Sequence, residues 1–303
     1  MTPEGSPGML TSISSELAGV VEQVAPSIVR VDDGSRLTAT GIIWAADGLI
    51  ATTSHGVERD DNLAVELGDG TRHSAALVGR DPDTDLALLR VQAAGLPAVQ
   101  PAEPGDVKVG HLVLALARPG SSGLQATIGI ISARMDTERN GTLGYILHTD
   151  AVLYPGFSGG ALVDVSGRVV GLTNLMFGRG KSVAIGAPVV QQVAETLLAH
   201  GAIPRGYLGI RTQLVALPEG LRKKQKLSQE HALLVVQVEN GSPAEQGGMM
   251  LGDTLLRLNG QEIQDVDQLR RHLRGLQPGQ TVALQILRGG ALRELTMAAG
   301  AAQ

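Results

Sequence analysis

Between residue 27 and about residue 190 the chain is built from short apolar runs rather than long periodic ones. "SIVRVDD", "TGIIWAADGLIATT", "LALLRV", "HLVLALA", "ATIGIISA" and "RVVGLTN" are rich in Val, Ile and Leu, with Gly, Asp or Pro between them. Runs this short and this β-branched favour strands, and no helix-length segment separates them. Many short strands without β-α alternation point to a barrel or sandwich. The Asp-Gly pairs at 47–48 and 69–70 are hairpin turn signals. Aromatic residues make up only 2% of the chain against 43% hydrophobic, so the cores must be filled by Val, Leu, Ile and Ala.

The 303 residues allow about two domains. An N-terminal segment, 1–26, carries an amphipathic helix over 13–23, and a main β domain follows over 27–200. Residues 188–200 read as its closing helix, with Pro188 in the first turn and Gly201 just past the end. "GAIPRG", 201–206, reads as a linker. From 207 to 303 the pattern is that of a small domain with five or six strands and two helices. There "YLGI" is a short strand, "ALLVVQVE" a longer one, and Asn259-Gly260 closes a hairpin. Asp265 with Gln268 has the spacing of a capping box before the helix that carries Val266, Leu269, Leu273 and Leu276 on one stripe.

The formal net charge of -5 argues against a nucleic-acid partner. The one basic cluster, "RKKQK" at 222–226, reads as a solvated loop. Cysteine is absent, which removes thiol chemistry and thiolate metal ligands. The seven histidines are dispersed without ligand spacing and no phosphate-binding glycine loop occurs, so no metal and no cofactor is expected. No apolar run approaches the ~20 residues of a membrane span. The first residues lack a basic n-region. A cytoplasmic place is expected if this N-terminus is native, and the cell envelope or periplasm if a leader was removed.

The stretch "TDAVLYPGFSGGALVD" sets Ser158 among glycines. By itself G-F-S-G-G is as good a turn as a nucleophile loop. It also matches the G-x-S-x-G elbow of α/β-hydrolases, but that reading needs a helix straight after the serine. Here "ALVDVSGRVVGL" reads as two strands, Ala161–Val165 and Arg168–Leu172, around a Ser166-Gly167 turn. Upstream, His55 ends the run "LIATTSH" and Asp85 opens the run "DLALLRV". Histidine, then aspartate, then serine is the chain order of the chymotrypsin-type double barrel.

At these residues the chain resembles the HtrA (DegP-like) serine proteases. "TGIIWAADGLIATTSHGV", "GRDPDTDLALLRV" and "TDAVLYPGFSGGALVDVSGRVVGLTN" are similar to their histidine, aspartate and serine segments. "GYLGI", "VENGSPAEQGGMMLGDTLLRLNGQEI" and "LQPGQTVALQILRGG" are similar to their PDZ domain. The resemblance covers about 27 to 298, in the family's domain order. It implies a mainly β fold: a chymotrypsin/trypsin-like double β-barrel followed by a small α+β PDZ domain. It implies a serine endopeptidase with catalytic His55, Asp85 and Ser158, and an oxyanion hole from the N–H groups of Gly156 and Ser158. Leu208, Gly209 and Ile210 would bind peptide C-termini. The expected partners are unfolded polypeptides and peptide C-termini, with a homotrimer as a family-level expectation.

Two residues depart from the family pattern. Phe157 stands where Asn is usual, and Tyr154 replaces an Asn before "PG". These rings either line the specificity pocket or hold the oxyanion loop in an inactive shape. The second possibility keeps an alternative open, a catalytically impaired PDZ protein that acts as a chaperone or peptide sensor. Segment 172–187 is expected to form a further pocket wall, with a mobile "GRGK" tip.

Overall fold

The computed structural model describes residues 8–35, 39–120, 123–139, 142–177, 181–202 and 206–301. Most of the expected "GRGK" tip and part of the expected linker lie outside the described residues. The chain forms two compact units, 1–203 and 204–303.

The first unit opens with helix α1 (Met9–Val24), longer at its start than its apolar spacing predicts. Six strands then close into a barrel: β1 (Ile28–Asp32), β2 (Ala39–Ala45), β3 (Leu49–Thr53), β4 (Ala64–Glu66), β5 (Arg72–Asp81) and β6 (Leu86–Val91). Six more close a second barrel: β7 (Leu112–Ala117), β8 (Gln125–Arg139), β9 (Thr142–Thr149), β10 (Ala161–Asp164), β11 (Val169–Asn174) and β12 (Ser182–Gly186). Helix α2 (Ala187–His200) ends the unit, with Gly201 left-handed just past it. Both Asp-Gly pairs turn hairpins, β2–β3 and β4–β5, with Gly48 and Gly70 at positive φ.

The unbroken apolar runs have a structural reason. Successive side chains on a strand point to opposite faces, and here both faces are covered. On β7, Val113, Ala115 and Ala117 fill the second barrel, while Leu114 and Leu116 join the layer shared with the first barrel. On β3, Ile50 points into the first barrel and Leu49 and Ala51 into the shared layer. α1 and α2 cover the edge of that layer with Val20, Val24, Val190, Val193 and Leu197. The only tryptophan, Trp44, sits there, its Nε1 donating to Gln191 Oε1 on α2 at 2.9 Å.

The second unit holds a sheet in the order β14 (Ile210–Ala216), β15 (His231–Val238), β16 (Thr254–Leu258), β18 (Thr281–Arg288), β19 (Ala291–Ala298), with β17 (Gln261–Glu262) beside β16. A separate two-residue pair joins β13 (Gly206–Tyr207) to β20 (Gly300–Ala301). Helices α3 (Glu219–Gln225), α4 (Pro243–Gln246) and α5 (Val266–Arg274) complete it. Asp265 caps α5 through Gln268 N as its spacing predicts, while Gln268 Oε1 accepts from Gln264 N, one residue before the N-cap, and not from Asp265 N as a full capping box would. Two expectations need correction. Most of "RKKQK" is helical, the last turn of α3, because Glu219 and Lys223 pair one turn apart and Lys226 closes the helix left-handed. "YLGI" is not one strand: Leu208 and Gly209 form a bend between β13 and β14.

One buried acid anchors the loop beyond His55. Asp33 is 2% exposed and accepts from the N–H groups of Ser35 and Glu58, each at 2.9 Å. Burial pushes its carboxyl up, but the Ser35 side chain and the N–H groups of Ser35, Glu58 and Arg59 outweigh it and hold the carboxyl low. A carboxyl depressed on folding adds stability above its unfolded value, near 3.9, and loses it as pH falls through the folded value. Asp33→Asn is expected to lower the melting temperature at pH 7. Melts taken downward in pH should show that gap closing as pH falls below the unfolded value of about 3.9.

Candidate active site

The pairing of β3 with β6 aligns Thr53 with Leu86, so the residues just beyond these strand ends, His55 and Asp85, are brought together. Asp85 is left-handed at φ 55°, a conformation Asp tolerates, and is 4% exposed. Its Oδ1 accepts from His55 N at 2.9 Å, and its Oδ2 lies 2.5 Å from His55 Nδ1. Asp85 O also accepts from Ser54 N at 2.9 Å. With Nδ1 donating to the carboxylate, His55 Nε2 is left as the acceptor. The His55 side chain is 26% exposed, open enough to meet a substrate.

Ser158 lies in the loop before β10 and is 5% exposed. Its Oγ accepts from Leu175 N at 3.1 Å, and no hydrogen bond joins it to His55 among the described residues. The N–H groups of Gly156 and Ser158 donate to nothing among the described residues. Gly156 is at φ 88° and Gly159 at φ 87°. A Cβ at Gly159 would come 1.9 Å from Thr40 O, so no other residue fits there.

Hydroxyls hold this loop. Thr40 Oγ1 donates to Gly156 O at 2.7 Å, and Thr40 N to Ser158 O at 3.2 Å. Thr173 Oγ1 donates to Phe157 O at 2.5 Å. These threonines are fully buried and were not singled out from the sequence, where they read as ordinary strand residues. Phe157 is fully buried among the side chains that fill the second barrel. It therefore lines no open pocket. Tyr154 is 52% exposed and meets Phe157 edge to face, with centroids 5.9 Å apart. In the cluster that holds Phe157, Tyr145 is buried with no hydrogen-bond partner for its hydroxyl among the described residues, and burial pushes that hydroxyl up to about 12 despite Arg134.

A fourth side chain enters the site. Asn174 ends β11, fully buried, and donates from Nδ2 to Asp85 Oδ2 at 2.8 Å. Its Oδ1 accepts from Met176 N at 2.9 Å and Phe177 N at 3.0 Å. It thus ties the carboxylate of one barrel to the 175–177 loop of the other. In the sequence it is only the last letter of "VVGLTN", with no spacing signal.

In the second unit the bend at Leu208–Gly209 opens a groove of about 390 Å³ between β14 and α5, with Leu208, Ile210, Val266, Leu269 and Leu273 along it. Leu208 and Leu269 also belong to the core, so one stripe serves both purposes. Gly209 is at φ 78°, and a Cβ there would meet Ser242 Cβ at 2.2 Å. The N–H groups of Leu208 and Gly209 are unengaged among the described residues, while their carbonyls accept from Ala244 N and Glu239 N. Ile210 begins β14, the edge strand of the sheet. Among the described residues no cluster of three metal-ligating side chains occurs.

The Asn174 bridge yields a direct expectation. Asn174→Leu removes a hydrogen bond to a buried charge, worth about 1.5–3 kcal/mol. Phosphonylation of Ser158 by a fluorophosphonate probe should slow by about 10- to 100-fold. Asn174→Ser, which retains a shorter donor, should fall between; equal rates in all three would contradict the bridge.

Residues 39–172 match the trypsin-like peptidase domain family and residues 206–298 the PDZ domain family. A probable periplasmic serine endoprotease, DegP-like, of Ectopseudomonas mendocina is 35% identical over 288 residues, 92% of this chain and 60% of that protein. The same description belongs to a Chlamydia trachomatis relative, 34% identical over 274 residues, 88% of this chain and 54% of that one. The chain thus spans about 60% or less of the curated relatives it matches. Among solved structures, the HtrA-type protease AlgW with a decapeptide superposes with a TM-score of 0.71 at 29% identity, over 95% of this chain and 99% of that one. The serine endoprotease from Yersinia pestis does so with a TM-score of 0.71 at 30% identity, over 95% and 98%. The two barrels, the serine loop and the following sheet are those of one lineage: the chain belongs to the HtrA-type, DegP-like family of serine endoproteases with a PDZ domain.

Proposed function

We propose that this chain is a serine endopeptidase acting on unfolded or damaged polypeptides through His55, Asp85 and Ser158. The observation that carries the reading is the His55–Asp85 pair, joined at 2.5 Å, at the site of a buried serine whose loop leaves two N–H groups unengaged. A hydroxyl is a poor nucleophile at neutral pH and needs a base within reach. Ser158 Oγ leaves Leu175 N–H by rotation about its Cα–Cβ bond and turns to His55 Nε2, which takes its proton as Oγ attacks the scissile carbonyl. Such bonds are often absent before substrate binds. The N–H groups of Gly156 and Ser158 then receive the negative oxygen, a term worth about 3–4 kcal/mol for each donor. Asp85 balances the imidazolium, and His55 returns the proton to the leaving amine. Water repeats the sequence on the acyl-enzyme.

The groove at Leu208, Gly209 and Ile210 takes peptide C-termini. A tail adds as a strand to the free edge of β14, and the open N–H groups of Leu208 and Gly209 hold its carboxylate. The periplasmic relatives support a place in the cell envelope.

One observation favours a second reading. Ser158 Oγ is bound to Leu175 N, not to His55, so a chain that stayed in this state would bind tails without cleaving. Casein digestion by wild type and Ser158→Ala decides between them. Ser158→Ala should lose at least about 1000-fold in rate. Equal rates in the two proteins would exclude the endopeptidase, and no cleavage by wild type with retained tail binding would establish the sensor.

A further inference from the structure

The groove in the second unit is apolar along its floor and cationic at its rim. Arg211 and Arg270 stand beside it, one on the edge strand β14 and one on helix α5. Arg211 is exposed and has no ion-pair partner among the described residues. Among the described residues Arg270 pairs only with Asp267, at 4.0 Å, with both side chains largely exposed at 67% and 87%. Glu239 is engaged by the hydroxyl of Tyr207, which also lines the groove. The unit as a whole is basic: from 206 onward Lys and Arg outnumber Asp and Glu, in a chain whose net charge is -5.

We propose that this groove selects tails with carboxylate side chains immediately before an apolar last residue. The inference rests on the reading of the groove as a tail site and adds the chemical class of the tail. The pleat supplies the geometry. Along β14, Ile210 and Thr212 are half-buried while Arg211 and Gln213 are exposed. On a strand added to this edge, a residue opposite Ile210 turns into the groove and its neighbour lies on the face of Arg211. An acidic residue there meets an unpaired guanidinium, and one a position further meets Arg270 across the groove. A lysine at either place meets like charge. Both arginines are exposed, so the selectivity is modest and falls with salt. The apolar floor and the backbone N–H groups give affinity to any tail; the rim chooses among them.

The test uses the full chain carrying Ser158→Ala, so that the probe is not consumed. Short fluorescein-labelled peptides share one apolar C-terminal residue and carry Asp, Asn or Lys at the second and third positions from the end. Each is made as the free acid and as the amide, and binding is read by anisotropy. The expected order is Asp, then Asn, then Lys, with steps of about fivefold that narrow in ~0.5 M salt. The steps should vanish when Arg211→Gln and Arg270→Gln are combined, and combining Arg211→Glu with Arg270→Glu should favour Lys. Both positions are exposed, and an unchanged melting temperature verifies the fold. Equal binding of the three free acids, or steps that survive the double substitution, overturns this inference and leaves the groove as a tail site. Equal binding of acids and amides overturns the tail-site reading and this inference together.

Discussion

Everything at the serine site depends on the layer where the two barrels meet. Leu114 and Leu116 of one barrel and Leu49 and Ala51 of the other make it predominantly apolar. The ionisable residues of the site lie at or beyond strand ends, and there the barrel closures bring the ends together. His55 follows β3, Asp85 precedes β6, Ser158 precedes β10 and Asn174 ends β11. An unpaired charge at such a depth would be costly. Asp85 is tolerated because three donors surround it, two from His55 and one from Asn174. The partner from the second barrel means that the carboxylate senses how the barrels are seated.

The loop before Ser158 shows the same logic at finer scale. Its carbonyls are directed away from the space in front of the serine because Thr40 and Thr173 donate to them. Thr52 Oγ1 in turn donates to Thr40 O at 2.7 Å, and Arg118 N to Thr40 Oγ1 at 3.0 Å. With the carbonyls engaged, the N–H groups of Gly156 and Ser158 are what remains. Phe157 adds an apolar anchor, since its ring fills the second barrel where a polar residue would need a partner. Of the two rings flanking the serine, Phe157 takes part in the core and Tyr154 presents surface.

Much of this architecture was legible because local chemistry and global fold agree. Apolar runs without alternation signal strands covered on both faces, as "LVLALA" proves to be. Asp-Gly and Asn-Gly mark turns that only left-handed residues can make, and Asn259 and Gly260 are both at positive φ. His55, Asp85 and Ser158 stand out as candidates by chain order and by resemblance, not by periodicity. Asn174, Thr40 and Thr173 escaped because their roles depend on contacts distant in sequence; Asn174 bonds Asp85 across 89 positions. The burial of Phe157 escaped for the same reason. The bend within "YLGI" was missed because Leu and Ile favour strands, and only the approach of Ser242 shows why Gly209 breaks the run.

Recognition by a strand edge divides labour between backbone and side chains. In the proposed tail site, the open N–H groups at Leu208 and Gly209 would be the same for every tail and carry no sequence information. Leu269 and Val266 add an apolar wall, which separates large from small residues but discriminates charge only by excluding it. Selectivity among soluble tails therefore falls to side chains at the rim, where water and salt weaken each contact. Arg211 and Arg270 lie there on two different elements, strand and helix, so a tail must be in register to meet both. A pair of weak charges held on rigid elements can then discriminate where a single one would not.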